Sequence, residues 1–227
     1  MDWTVKKLYL AAGAVSVAAA AAGRRGDRLT RLVKPALMPL LAAAVPGVRR
    51  SPVLLAGLAG GWLGDVILMG AAGRSDDPSV RARNLNRGSA AFAVNQAAYI
   101  ARLWSQGHRP TRTAVALRLP VLVSGIVTAA TGARSALPAA VGYGSLLATT
   151  STLAADEGET TPAAVGGSLF VLSDGLILAR QAFLTGDRPL VRVLDGVADG
   201  LVMATYVAAQ LLLVEAVAGT PGERPRD

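Results

Sequence analysis

The chain of 227 residues contains no cysteine, which excludes disulfides and thiolate metal sites. Charge is scarce, at 17% of residues, and it gathers in short clusters between long uncharged runs. A soluble domain of this size interleaves its charges with apolar residues at a period near 3.6 or 2.0, so the clustering excludes that class. Aromatic residues are few, at 4%, whereas alanine and glycine are abundant. Small side chains let helix backbones approach closely, which suits a compact bundle of many helices. What is present agrees: 52% of residues are hydrophobic and the mean hydropathy is +0.43. These features point to an integral membrane protein of all-α class, a polytopic transmembrane helix bundle.

A net charge of +8 and a pI near 10.7 would suit a nucleic-acid partner. The arginines, however, fall at segment ends rather than along one stripe. They read as topology and headgroup-facing charges, and no nucleic acid is expected.

A bilayer core needs about 20 largely apolar residues per helix, or somewhat fewer. Eight segments qualify: 5 to 22, 32 to 47, 53 to 70, 87 to 105, 113 to 131, 135 to 153, 162 to 184 and 196 to 217. The breaks between them carry turn and charge signals, among them Pro46 to Pro52, Gly73 to Arg83, Gly107 to Arg112 and Gly186 to Pro189. Eight helices with short loops make a single domain over residues 1–227. Lys6 and Lys7 precede an alanine-rich run, as in a signal peptide, but that run ends in Arg24, Arg25, Asp27 and Arg28, so a retained first helix is expected. Lysine and arginine are more numerous after the odd-numbered segments, where Arg24, Arg81, Arg83 and Arg134 lie, than on the side of Lys6, Arg49, Arg109, Arg224 and Arg226. That bias places both termini outside the cytoplasm.

Two acidic residues sit inside apolar runs, Asp65 in GGWLGDVILM (60 to 69) and Asp174 in GSLFVLSDGLILA (167 to 179). An aspartate at the centre of a spanning helix costs roughly 2.5 to 3.5 kcal/mol, so a pair of them suggests a polar site within the bundle. Gly57, Gly61 and Gly64 recur at helical spacing and should pack a neighbouring helix against the face that carries Asp65. Ser173 adjoins Asp174, Tyr143 lies in the sixth segment, and the i, i+4 pairs Asn95 with Tyr99 and Tyr206 with Gln210 each present one polar face. Lys34 opens the second segment before Pro35, where its stem can snorkel to a headgroup phosphate. Asp195 and Asp199 read as helix N-terminal charges, and Asp156, Glu157 and Glu159 as a solvated loop.

In order and spacing, VKPALMPLL (33 to 41), GGWLGDVILM, GSAAFAVNQAAYI (88 to 100), GSLFVLSDGLILARQAF (167 to 183) and YVAAQLLL (206 to 213) resemble the YhhN family of polytopic membrane proteins, which includes the animal lysoplasmalogenases. The resemblance spans roughly residues 30 to 215. It implies hydrolysis of the vinyl ether bond of a lysoplasmalogen, giving a fatty aldehyde and a glycerophospho-alcohol, without metal or other cofactor. On that pattern Asp65 and Asp174 are the catalytic pair, and Lys34, Asn95, Tyr99, Ser173, Tyr206 and Gln210 are accompanying substrate-binding positions. Asn95 stands where the family's fourth-helix block is expected to carry histidine, and asparagine cannot shuttle a proton near neutral pH.

Protonating an enol ether at its β-carbon gives an oxocarbenium ion that water captures, so a general acid and a nearby anion suffice. Two buried carboxyls with different surroundings supply that pair, in either order. Lipid tails are expected among the Ala, Leu and Val faces, with Lys34 or Arg87 taking the phosphate. A non-catalytic lipid-binding protein and a small proton-coupled transporter are the rival readings. The Ala, Gly and Arg richness suggests a bacterial coding bias and hence the plasma membrane. The GxxxG pairs leave a homodimer open.

Overall fold

A computed structural model describes residues 2–75, 77–132, 134–184 and 188–219. Gly186, Arg224 and Arg226 of the sequence reading lie outside the described residues. The described chain forms helices and no strands: α1 (Trp3–Ala21), α2 (Asp27–Val33), α3 (Leu37–Ala44), α4 (Pro46–Arg49), α5 (Pro52–Leu68), α6 (Pro78–Ser105), α7 (Arg112–Gly132), α8 (Gly144–Ala154), α9 (Pro162–Phe183) and α10 (Pro189–Val217). Trp3–Ala21, Arg112–Gly132, Pro162–Arg180 and Pro189–Val217 are long and apolar enough to cross a bilayer, and Pro52–Leu68 is a shorter apolar helix. The polarity is inverted relative to a soluble domain. Leu117, Leu119, Val121, Val123 and Val127 of α7 and Leu172 of α9 are exposed, while Asp65, Asn95, Gln96, Arg118, Ser173 and Gln210 are buried. This is a membrane protein, an all-α bundle with its polar groups inside.

Several elements depart from the sequence reading. The segment expected at 32 to 47 is a rod broken by a 3₁₀ turn, Lys34–Ala36, so Lys34 lies within it rather than at its start. Pro35 has no N–H to give to a continuing α-helix, and the ladder tightens there. α6 begins at Pro78, not at residue 87, because Asp77 caps it by accepting from Ser79 N–H at 2.7 Å and Pro78 suits the first helical turn. α10 likewise begins at Pro189 rather than 196. Hydropathy marked where the apolar stretch starts, and both helices extend beyond it. α8 is preceded by a π-helical turn, Ala139–Tyr143.

α10 is the central post, packed on α9, α1 and α6. Its buried face carries Met203, Tyr206, Val207, Gln210, Leu213 and Val214. Asp195 and Asp199 are not free N-terminal charges: with the helix starting earlier, both face Arg180 of α9, which donates to Asp195 at 2.9 Å and also to Asp199. Gly57, Gly60, Gly61 and Gly64 of α5 meet α6 directly. A methyl at Gly60 would lie 2.8 Å from the Ala91 carbonyl oxygen, so only glycine permits this approach. These glycines are spent on packing within the chain and are not a free face for a second copy.

At one end of the bundle, Lys6 meets Glu215 at 2.6 Å, Arg102 donates to the Val217 and Gly219 carbonyls, and His108 lies 3.7 Å from Asp156. The starts of α1, α7 and α9 and the ends of α6, α8 and α10 therefore share that end.

Candidate active site

The α5–α6 glycine contact turns Asp65 inward, although it lies in the last turn of α5; it is 2% exposed. Both of its oxygens are engaged. Lys34 Nζ is 2.9 Å from Oδ1, and the Tyr206 hydroxyl donates to Oδ2 at 2.7 Å. Trp62 on α5 donates its indole N–H to the Pro35 carbonyl at 3.0 Å, which pins the 3₁₀ turn to α5 and aims Lys34 at Asp65. The Lys34 ammonium also lies 5.5 Å from the centre of the Tyr206 ring. Phe92 and Phe170 meet that ring edge-on at 6.2 and 5.6 Å, so the phenol is held on two sides.

Asp174, near the middle of α9, faces the same space. Tyr143, the last residue of the π turn, lines the cavity beside it, and Asp174 forms no ion pair among the described residues. π turns widen a helix locally and recur at functional sites; here the turn delivers a phenol to the second carboxylate.

Lys34, Asp65, Asp174, Tyr143 and Tyr206 line one cavity of about 210 Å³, whose remaining wall is largely apolar, with Phe92, Leu122, Leu147, Phe170, Ile177 and Met203. The cavity reaches the surface between α7 and α9: Val121, Gly175 and Leu178 line it and are exposed. α7 packs on α8 and on the turns before it and scarcely touches α9.

The other sequence-derived positions fall differently. Ser173 borders the cavity, but its hydroxyl donates to the Val202 carbonyl at 3.2 Å and so ties α9 to α10. Tyr99 donates to Gln210 Oε1 at 2.5 Å, and Asn95 donates to the Gly57 carbonyl at 3.1 Å; none of these three lines the cavity. They form a second buried polar group that joins α5, α6 and α10. Asn95 therefore faces the α5 backbone and not the space between the carboxylates. Arg87 is exposed on α6 and takes no part in the lining.

Sequence reasoning passed over Arg118, six residues past the start of α7, in the apolar stretch ALRLPVLV. It is 6% exposed and lines the cavity towards the end where α7 and α9 begin. It donates to Glu159 Oε1 and Oε2 at 2.5 and 2.6 Å, to Ser151 at 3.1 Å and to Ser168 at 3.1 Å. Glu159 is thus an exposed loop charge, as expected, but one with a fixed partner. Hydrogen bonding to the Arg118 guanidinium holds its carboxyl below the usual carboxylate range. The missed signal was the one that drew attention to the aspartates, a charge inside an apolar run. Among the described residues, no three or more His, Asp or Glu side chains cluster as metal donors would.

A family model described as the YhhN family matches residues 29–217. No curated protein and no solved structure matches the chain.

Proposed function

The chain belongs to the YhhN family, and we propose that it is a membrane-embedded hydrolase that cleaves the vinyl ether bond of lysoplasmalogen-type lysophospholipids. One observation carries the reading: Asp65 and Asp174 come from different helices and converge on one largely apolar cavity, each with different partners. Asp65 holds a lysine ammonium and a phenol on its two oxygens, which suits the charged role. Asp174 has a phenol and no ion pair among the described residues, which suits the proton donor.

In the proposed reaction, Asp174 gives its proton to the β-carbon of the enol ether, leaving an oxocarbenium ion next to the ether oxygen. The Asp65 carboxylate stabilises that cation and orients a water. The water adds to the α-carbon, its surplus proton returns to the carboxylate pair, and the hemiacetal then breaks its bond to the glycerol oxygen, its hydroxyl proton passing to that oxygen, to give aldehyde and glycerophospho-alcohol. Lys34 and Tyr206 hold Asp65 in place throughout.

Aldehyde release from detergent-purified protein supplied with a 1-alkenyl lysophosphatidylethanolamine tests this, run beside Asp65→Asn and Asp174→Asn. Turnover that both substitutions abolish supports the pair. Folded, unmutated protein without turnover removes the hydrolase reading. The apolar cavity wall would then favour a lipid-binding protein without chemistry.

A further inference from the structure

We propose that Arg118, with the hydroxyls of Ser151 and Ser168, is the subsite for the phosphate of a lysophospholipid, and that Glu159 occupies it when no lipid is bound. The inference rests on the lipid reading above and deepens it, since the sequence pointed instead to Lys34 or Arg87 for the phosphate. Lys34 is committed to Asp65 at 2.9 Å, and Arg87 is exposed and outside the cavity.

Three observations converge on Arg118. First, it is a buried charge on a helix whose other faces are largely apolar, and it stands on the wall of the cavity that holds the two carboxylates. A buried ion pair adds little net stability over an apolar replacement, so packing alone gives weak reason for an arginine there. Second, its partners are those a phosphate would use. Arginine presents a planar fork that fits two phosphate oxygens, and Glu159 already fills that fork through both of its oxygens. The Ser151 hydroxyl on α8 and the Ser168 hydroxyl on α9 complete a cradle from three helices. Glu159 is the replaceable member: it lies in the loop between α8 and α9, and its side chain is 37% exposed while that of Arg118 is 7% exposed.

Third, the spacing fits. α7 and α9 begin at the same end of the bundle; Arg118 lies six residues into α7 and Asp174 twelve into α9. At 1.5 Å per residue, the two sit about 9 Å apart along the bundle axis. Seven bonds separate the phosphorus of a 1-alkenyl lysophospholipid from the β-carbon of its vinyl ether, a reach of about 8 Å when extended. A phosphate on Arg118 therefore places the reacting carbon at the depth of Asp174. The hydrocarbon chain continues beyond it among Leu68, Leu85, Ala129 and Ala140, which line the far part of the cavity.

The test is binding, which separates this subsite from the chemistry. The probe is a saturated 1-alkyl lysophosphatidylethanolamine, which has no vinyl ether to cleave, compared with the 1-alkylglycerol of the same chain and with inorganic phosphate, by calorimetry on detergent-purified full-length protein. The unmutated protein should bind the phospholipid about tenfold or more tighter than the alkylglycerol, and Arg118→Gln should erase that difference while leaving alkylglycerol affinity alone. Glu159→Gln, which removes the competing carboxylate and keeps Arg118, should tighten phospholipid binding about threefold or more; it decides the matter if Arg118→Gln does not fold. Equal affinity for the two lipids, an equal loss of both in Arg118→Gln, or weaker phospholipid binding in Glu159→Gln overturns the subsite. Inorganic phosphate that binds as tightly as the lipid makes this a free-anion site and overturns the lipid assignment. Arg118-dependent binding without vinyl ether turnover would remove the hydrolase and keep the subsite. Turnover indifferent to Arg118 and to headgroup would do the reverse.

Discussion

Lys34 Nζ and Asp65 Oδ1 stand 2.9 Å apart, the lysine delivered by a 3₁₀ break in one rod and the aspartate by the last turn of another helix. Each is the other's counter-ion in a place with little water. Removing one partner leaves a buried charge uncompensated, so Lys34→Met should cost about 3 to 5 kcal/mol. Adding Asp65→Asn should recover much of that loss. Thermal unfolding of both single variants and the double variant in detergent measures the coupling, and strictly additive losses would contradict it.

Asp174 has no ion pair among the described residues to lose. Asp174→Asn should leave thermal unfolding nearly unchanged while lowering aldehyde release by about a hundredfold to ten-thousandfold, the usual range for removing a general acid. A folded variant with full turnover would assign the proton to another group.

The α5–α6 contact should resist any added side chain. Gly60→Leu drives carbon into the Ala91 backbone carbonyl, which cannot swing aside, and should destabilise by about 1 to 3 kcal/mol. Gly132→Ala, where a methyl meets nothing within 4 Å, is the control and should be close to neutral. Equal melting temperatures for the two would show that α5 and α6 are less closely packed than described.

Glu159 gives a pH signature. Its folded carboxyl is held below the ordinary value near 4.5 by hydrogen bonding to Arg118, so its contribution to stability is present above that value and is lost as the pH falls through the lower, folded one. Because Glu159 is exposed, the contribution is modest and screened by salt. Unfolding temperature should therefore fall more steeply with acidification below pH 4.5 in the unmutated protein than in Glu159→Gln, and parallel curves would show that the pair is not linked to folding.

The helical bundle and the two intramembrane aspartates were legible because each is written locally: an apolar run is its own signal, and a lone acid inside it stands out. Local pattern does not encode which polar groups meet. The family resemblance made Asn95, Tyr99 and Gln210 companions of Asp65, yet the glycine face of α5 draws Asn95 onto the Gly57 carbonyl, and Tyr99 donates to Gln210. Tyr143 was visible as a polar residue in a span, but its place beside Asp174 depends on a π turn that leaves no clear mark in hydropathy. Arg118 stood in plain view as a charge inside an apolar run, but its pairing did not: Glu159 read alone is a loop acid, and only the fold shows the loop turning back onto α7. Lys34 looked like a helix start because Pro35 follows it, and the chain instead takes that proline into a 3₁₀ turn inside a rod.

α7 is held along one flank only, and beside it Val121, Gly175 and Leu178 belong both to the cavity wall and to the outer surface. A molecule that enters by that gap arrives from the lipid phase. Its effective concentration is then a mole fraction within the membrane and not a molarity in the buffer. Adding inert lipid to a vesicle lowers occupancy of the site, whereas diluting the same vesicles into more water leaves it unchanged.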